Sequence, residues 1–143
     1  MPSALDNLVG PGKALTKEAP DKQEFDGLVR SGSARLKDAQ LTGLSLEGRF
    51  DLSYNAAHAL CLAALRWHGF RPSHRYIVFQ SLPHTLQLGP EVWRILDKCH
   101  KARNVAEYEG QLRVSERLVK DLIAACKNVE EAVNKLASLD DSQ

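Results

Sequence analysis

One long apolar stripe, which begins after Ser45 and ends at residue 68, constrains the fold most. Its members recur every three or four residues, as on one face of an α-helix: Leu46, Phe50, Tyr54, Ala57, Cys61, Leu65 and His68. Between residues 56 and 65 the other faces are apolar as well, so we expect this half of the helix to be surrounded by other helices. Ser45 is a suitable N-cap, and Gly69 ends the helix.

Three further segments are predicted to be long helices, at 23–40, 90–108 and 114–137. Asp21 caps the first, Pro90 occupies the first turn of the second, and Ser115 is a possible cap of the third. Gly110 ends the second of these helices. Residues 73–88 contain a strand-like run, but a lone strand would have no partner, so a short helix that ends near Pro83 is the better prediction.

Two glycines weaken the helix at 23–40. Gly27 and Gly32 each cost about 1 kcal/mol relative to alanine inside a helix. A tertiary contact must compensate for them.

These elements predict an all-α protein, an antiparallel four- to five-helix up-and-down bundle with short loops. Residues 23–138 form the bundle. Residues 1–22 are interpreted as an arm packed loosely on it, since Gly10-Pro11-Gly12 and Pro20 break regular structure. Residues 139–143 are interpreted as a frayed tail.

The composition excludes few functions. The chain has 143 residues, of which 43% are apolar and 26% charged, with a net charge of +1, so a nucleic-acid site would have to be a local patch. Cys61, Cys99 and Cys126 are well separated and are predicted to be buried thiols. No metal-ligand spacing or cofactor motif is found, so neither is expected. No signal peptide or membrane-spanning run is found either, and we expect a cytoplasmic protein.

The helix at 90–108 carries the most informative polar residues. Arg103 falls inside its apolar stripe, at the angle of Leu96 and Cys99. A guanidinium there needs an acceptor, and the structural alternative is an ion pair with Asp51 or Glu47. A second face of the same helix collects aromatic, polar and titratable side chains that are interpreted as the lining of a cleft or a subunit contact: Trp93, Asp97, His100, Asn104 and Tyr108.

A basic cluster lies between residues 66 and 75. Arg66, Arg71, His74 and Arg75 are interleaved with aromatic side chains, a pattern that can hold single-stranded nucleic acid. A solvated loop is the alternative. The remaining histidines form no Ser-His-Asp or Cys-His arrangement.

Three stretches together resemble the HEPN superfamily of helical bundles. They are Phe50-Asp51-Leu52-Ser53-Tyr54-Asn55-Ala56-Ala57-His58-Ala59-Leu60, Gly69-Phe70-Arg71-Pro72, and Ala102-Arg103-Asn104-Val105-Ala106-Glu107-Tyr108. The resemblance covers residues 23–136. It implies a homodimer in which two Arg-polar-x-x-x-His motifs face each other across a cleft. Many members are metal-independent ribonucleases, including toxins of toxin–antitoxin pairs.

The resemblance also implies roles for individual residues. Arg103 matches the phosphate-holding arginine and Asn104 its polar neighbour, but Tyr108 stands where the motif has histidine. An unperturbed tyrosine titrates near pH 10, so it is a poor general base at neutral pH. Glu107, His84 or His100 are alternative bases.

Three hypotheses follow for the function. The first is binding of RNA or a nucleotide phosphate at an Arg103/Asn104/Tyr108 cleft, with weak or absent catalysis. The second is a ribonuclease that uses the same cleft, with an antitoxin-like partner. The third is a non-catalytic protein-interaction module in which Arg103 serves an ion pair.

Overall fold

The computed structural model describes residues 5–10 and 12–141. In chain order the elements are a short 3-10 turn at Asp6–Leu8, β1 at Leu15–Lys17, α1 at Lys22–Ala39, α2 at Leu46–Trp67, β2 at Phe70–Pro72, α3 at Arg75–Gln80, α4 at Leu82–Thr85, α5 at Pro90–Glu109 and α6 at Glu116–Asp141. The protein is therefore mostly helical and of the all-α class, with one small two-stranded sheet.

The predicted long helices are confirmed. The spans 23–40, 46–68 and 90–108 agree with α1, α2 and α5 to within one residue at each end. The predicted caps are present, because the side-chain oxygens of Asp21, Ser45 and Ser115 each accept a backbone N–H of the first turn, at 3.1, 3.0 and 3.0 Å. Gly110 ends α5 in the left-handed conformation, with φ of 70°.

Two predicted boundaries differ from the structure. The helix at 114–137 begins at Glu116 and continues to Asp141, so residues 139–141 of the predicted tail are helical, whereas 142–143 lie outside the described residues. The run at 73–88 is two short helices, α3 and α4. The helices α3 and α4 are consistent with the prediction of helix rather than strand in this run.

α2 lies at the centre of the molecule. It packs against α1 and α6, and α5 packs against α6. Most residues between 56 and 65 are buried, as the continuous apolar run predicted, and His58, Ala59 and Leu62 are partly exposed. Gly32 of α1 faces α2, where an added Cβ would lie only 2.7 Å from Leu60 Cγ and 3.2 Å from the Ala56 carbonyl oxygen. This close approach is the tertiary contact that offsets the helix-weakening effect of Gly32.

The interpretation of residues 1–22 as a loosely packed arm is wrong for the described part of that segment. Leu5 and Leu15 are buried in the core, with 3% and 0% exposure. β1 pairs antiparallel with β2, Leu15 opposite Pro72 and Lys17 opposite Phe70. Two three-residue strands carry too little periodicity to be recognised in the sequence. Residues 1–4 and 11 of the predicted arm lie outside the described residues.

A buried guanidinium fastens this segment to α2. Arg66 is 1% exposed and donates to the carbonyl oxygens of Glu18 and Ala19 at 2.9 and 2.7 Å, to that of Phe70 at 3.2 Å, and to the Glu24 carboxylate. A buried charge is tolerated only when it is paired and hydrogen-bonded in this way. Arg66 therefore connects the N-terminal segment, α1 and β2.

The three cysteines are buried thiols, as predicted. Burial raises the pKa of Cys99 and of Cys126 to about 12 and raises that of Cys61 well above its ordinary value. Thiols held in this protonated form are poor nucleophiles and poor metal ligands. They act here as small apolar residues.

Candidate functional site

Arg103 lies between a carboxylate and an aromatic ring. Its side chain is 27% exposed and donates to Asp51 at 2.9 Å, which confirms one of the two predicted partners. Its guanidinium carbon lies 5.1 Å from the centre of the Tyr54 ring, within the range of a cation–π contact. Its Nε atom is buried without a hydrogen-bond partner in the structure, and the nearest carboxylate, Glu107, is 3.9 Å away.

A small acidic cavity opens on the Asp51 side of Arg103. It has a volume of about 250 Å³, and its charged lining residues are Glu47, Asp51, Glu107 and Arg103. Three carboxylates surround one guanidinium, so this cavity is unsuited to a phosphate group. The other side of the Arg103 guanidinium faces the Tyr54 ring.

On that side His100 forms the centre of a buried polar chain. His100 is 8% exposed and Tyr54 is 1% exposed. The Tyr54 hydroxyl lies 3.0 Å from His100 Nδ1, and the Asn104 amide nitrogen lies 3.2 Å from Nε2. Three side chains from α2 and α5 are thus joined by hydrogen bonds that end at the surface with Asn104.

Arg75, at the start of α3, is a second positive charge near Tyr54. Burial raises the pKa of Tyr54, and Arg75 opposes the rise. Arg75 is exposed, and within residues 5–10 and 12–141 no carboxylate lies at ion-pair distance from it. Of the guanidinium groups of Arg75 and Arg103, that of Arg75 is therefore the one available to an external anion.

His58 and His100 are both held in the neutral form. Burial lowers the pKa of His58 to about 4, and the positive charge of Arg75 adds to this. Burial also lowers the pKa of His100, against the opposing effect of the Asp97 carboxylate. At neutral pH both rings are uncharged, and each has one nitrogen that donates and one that accepts.

The remaining residues of the predicted α5 strip lie at different depths. Trp93 packs against the core, with Arg94 over its ring at 5.8 Å. Asp97 pairs with Lys101 at 3.0 Å and raises the pKa of that lysine. Tyr108 is 92% exposed and has no hydrogen bond to the described residues, so it does not share a pocket with Arg103 and Asn104.

The basic cluster predicted between residues 66 and 75 is divided by the fold. Arg66 is buried, and Arg71 donates to Glu18 and Glu24, each at 2.8 Å. These two carboxylates raise the pKa of Arg71. The guanidinium therefore stays charged, and its positive charge is balanced by theirs. Arg75 alone of the three arginines keeps a free charge at the surface, because the other two hold the N-terminal segment.

His84, which was predicted as an alternative base, lies away from Arg103. His84 lines a cavity of about 690 Å³ together with His68 and the Asp6–Lys17 ion pair. This cavity is formed by α4, the N-terminal segment and the end of α2, away from Arg103. His84 is therefore not the histidine nearest the α5 motif, and His100 is.

Tyr54 and His58 were missed as site residues by reasoning from the sequence. Both lie in the apolar stripe and the crowded part of α2, where the spacing predicts only core packing. The available signal was polarity: a tyrosine hydroxyl and an imidazole among buried apolar side chains each require a partner. The sequence did not show that the partner lies 46 residues away on α5.

Comparison with known proteins finds no matching family model, no matching curated protein and no matching solved structure. Over the described ranges, no group of three or more histidine, cysteine or acidic side chains is arranged to hold a metal ion. No helix among the residues described is long and apolar enough to cross a membrane. The site is therefore interpreted from its own geometry.

Proposed function

We propose that the protein binds RNA or a nucleotide phosphate at the surface formed by Arg75, Arg103 and Asn104, which we call the Arg75–Asn104 surface. One observation carries the proposal. Arg103 lies over the ring of buried Tyr54, and the same tyrosine is hydrogen-bonded through His100 to the exposed amide of Asn104. The positive charge of Arg75 also acts on Tyr54. Guanidinium and amide N–H groups are the donors that bind phosphate oxygens in proteins.

The distribution of charge supports this surface over the acidic cavity. Arg75 has no carboxylate partner among the described residues, whereas Arg103 forms an ion pair with Asp51 at 2.9 Å. An incoming phosphate would give Arg75 the acceptor that it lacks. The overall charge of +1 makes such a local patch the only basis for electrostatic attraction.

The HEPN resemblance remains a proposal and agrees with the same surface. It would place a second copy of the chain opposite α5, so that Tyr108 of each protomer contributes from the exposed side, and it would allow an antitoxin-like partner. Tyr108, at 92% exposure, is available for such a contact. Binding without efficient cleavage is proposed, because no histidine follows Arg103 in the motif.

A ribonuclease is the second candidate, and His100 is the observation that favours it. It is neutral, hydrogen-bonded to Asn104, and one turn from Arg103. A neutral imidazole within reach of a bound ribose could accept the proton of a 2′-hydroxyl. Its burial, at 8% exposure, argues for a slow reaction at most.

The test is binding of a fluorescently labelled single-stranded RNA, measured by anisotropy at low salt in the presence of EDTA. Arg75→Ala and Asn104→Ala are each expected to weaken binding about tenfold, since a charge-assisted hydrogen bond is worth roughly 1.5 kcal/mol. Arg30→Ala is the matched control, because it removes the same charge from exposed α1, which packs on α2 and α6 and not on α5. That variant should bind like the wild type.

The same samples, run on a denaturing gel, separate the candidates. Intact RNA with specific loss of binding in the Arg75 and Asn104 variants supports binding alone. Cleavage that disappears in His100→Gln supports the ribonuclease. A wild type that gives no anisotropy change up to about 100 μM, the weak limit of nonspecific binding, contradicts both.

A further inference from the structure

The Tyr54 hydroxyl is a buried polar group. Its residue is 1% exposed, and its oxygen lies 3.0 Å from His100 Nδ1. A buried hydroxyl hydrogen that has no acceptor costs free energy. The protonation of His100 therefore decides how the hydroxyl hydrogen is placed.

His100 fixes one half of this arrangement. A buried hydroxyl hydrogen needs an acceptor, and the atom at hydrogen-bond distance from the Tyr54 oxygen is His100 Nδ1, at 3.0 Å. If Nδ1 accepts, it carries no proton, and the proton of the neutral ring lies on Nε2.

The proton on Nε2 fixes the other half. Nε2 faces the side-chain amide of Asn104, whose nitrogen lies 3.2 Å away in the rotamer of this structure. An amide exchanges its oxygen and nitrogen when it turns by half a revolution about its last bond, so the hydrogen bonds of its neighbours decide its orientation. A donating Nε2–H requires the oxygen to face inward, and the NH₂ group then points to solvent.

We propose that Tyr54 is a positioning residue for the Arg75–Asn104 surface: its hydroxyl places the proton of His100 on Nε2 and thereby turns the NH₂ group of Asn104 outward, toward an incoming phosphate. This inference rests on the proposed function. It adds the reason that an asparagine, which can present either a donor or an acceptor, presents a donor here.

The opposite arrangement is less favourable on two counts. With the proton of His100 on Nδ1, the Tyr54 oxygen would accept from His100, and its own buried hydrogen would have no acceptor among the described residues. The Asn104 oxygen would then point outward and repel a phosphate. The opposing charges around the ring do not change this choice, since His58 is neutral and Asp97 is paired with Lys101.

The first test reads the tautomer directly and needs no ligand. In ¹⁵N-labelled protein at about pH 8, well above the ordinary histidine pKa of about 6.5, two-bond ¹H–¹⁵N correlations of the imidazole rings distinguish a protonated from an unprotonated ring nitrogen. The expected result for His100 is a protonated Nε2 and an unprotonated Nδ1. A proton on Nδ1 overturns the inference, whether or not the protein binds RNA.

The second test removes the hydroxyl alone. Tyr54→Phe keeps the ring that packs on Phe79 and Arg103, and we expect it to weaken binding of the labelled RNA about tenfold with a mixed His100 tautomer. Tyr76→Phe is the matched control: its ring also lies near His100, at 5.4 Å between centroids, but its hydroxyl is outside the chain of hydrogen bonds. Unchanged RNA affinity in Tyr54→Phe overturns the positioning role.

A third variant covers the case in which Tyr54→Phe does not fold. Asn104→Asp, on the exposed end of the chain, still accepts from Nε2–H but replaces the outward NH₂ group by a carboxylate oxygen. It should lose RNA binding while the His100 tautomer stays unchanged, and retained binding overturns the inference. If the wild type itself binds no RNA, the proposed function fails first, and the tautomer still decides whether the hydrogen-bond chain exists.

Discussion

At the residue scale, the acidic side chains Glu18 and Glu24 define how the N-terminal segment is held. Both carboxylates contact Arg66 and Arg71. Hydrogen bonding from Arg71, together with the charge of Arg66, lowers the pKa of each against the effect of burial. The four side chains form a network, and a network of this kind is worth more than isolated surface pairs.

This network makes the fold sensitive to acid. A carboxyl whose folded pKa lies below its ordinary value of 4.5 stabilises the folded state above that pH, and the contribution is lost as the pH falls through the folded pKa. We expect Glu24→Gln to lower the free energy of unfolding at pH 7 by roughly 1–3 kcal/mol, since buried Arg66 loses one acceptor. It should also flatten the decline of stability below about pH 4.5.

Urea unfolding followed by circular dichroism between pH 3 and pH 7 measures both effects. Glu131→Gln is the control, because that carboxylate is 71% exposed and pairs only with the next turn of α6. An acid limb in Glu24→Gln as steep as that of the wild type would show that the network does not govern the pH dependence.

The sequence was informative about individual site residues to different degrees. The Arg103–Asp51 pair follows from placing an arginine on an apolar helix stripe, because its charge requires an acceptor on a neighbouring helix. The hydrogen-bonded chain Tyr54–His100–Asn104 could not be predicted in this way. A tyrosine in an apolar stripe is expected to pack in the core, and the sequence does not show which residue its hydroxyl contacts. Helical spacing predicted Tyr108 on one face of the helix with His100 and Asn104, and its side chain is exposed to solvent.

At the element scale, the packing of α1 on α2 depends on a single glycine. Gly32 is buried against Leu60 and the Ala56 carbonyl, whereas a Cβ at Gly27 would meet only the end of the Arg30 side chain, at 3.8 Å. Both glycines weaken α1 in isolation by the same amount. The two glycines differ because Gly32 lies against α2 and Gly27 does not.

The two glycines therefore give opposite substitution effects. Gly32→Ala is expected to lower the free energy of unfolding by roughly 1–3 kcal/mol, because the added methyl group forces Leu60 and the backbone of α2 apart. Gly27→Ala is expected to raise it by roughly 0.5–1 kcal/mol through helix propensity. Chemical denaturation of the two variants measures both, and a Gly32→Ala variant as stable as the wild type would contradict the close helix contact.

Helices could be predicted from the sequence and strands could not. Caps at Asp21, Ser45 and Ser115 and the stop at Gly110 are local signals, and each was found where it was expected. β1 and β2 are three residues each, and their pairing is a long-range contact between residues 15 and 72. Such a pairing depends on where the ends of α1 and α2 lie, so no local pattern shows it.

At the scale of the whole molecule, the N-terminal segment is part of the core. We expect Leu15→Ala to lower the free energy of unfolding by roughly 2–4 kcal/mol, as for other fully buried leucines. Thr16→Ala, at the neighbouring exposed position of β1, should change it by less than about 0.5 kcal/mol. Thermal unfolding of the pair measures the difference, and equal small effects would mean that the segment is not packed as described.

The β1–β2 pairing also has a consequence for how the protein opens. α1 and α2 form a hairpin whose loop is at residues 40–45, and the two strands join its opposite end, so the hairpin is closed at both ends without a covalent bond. Neither helix can separate from the other unless the strands part first. In native-state hydrogen exchange, α1 and the part of α2 that it covers should therefore exchange together with one opening free energy, while the exposed last turns of α5 exchange independently and faster.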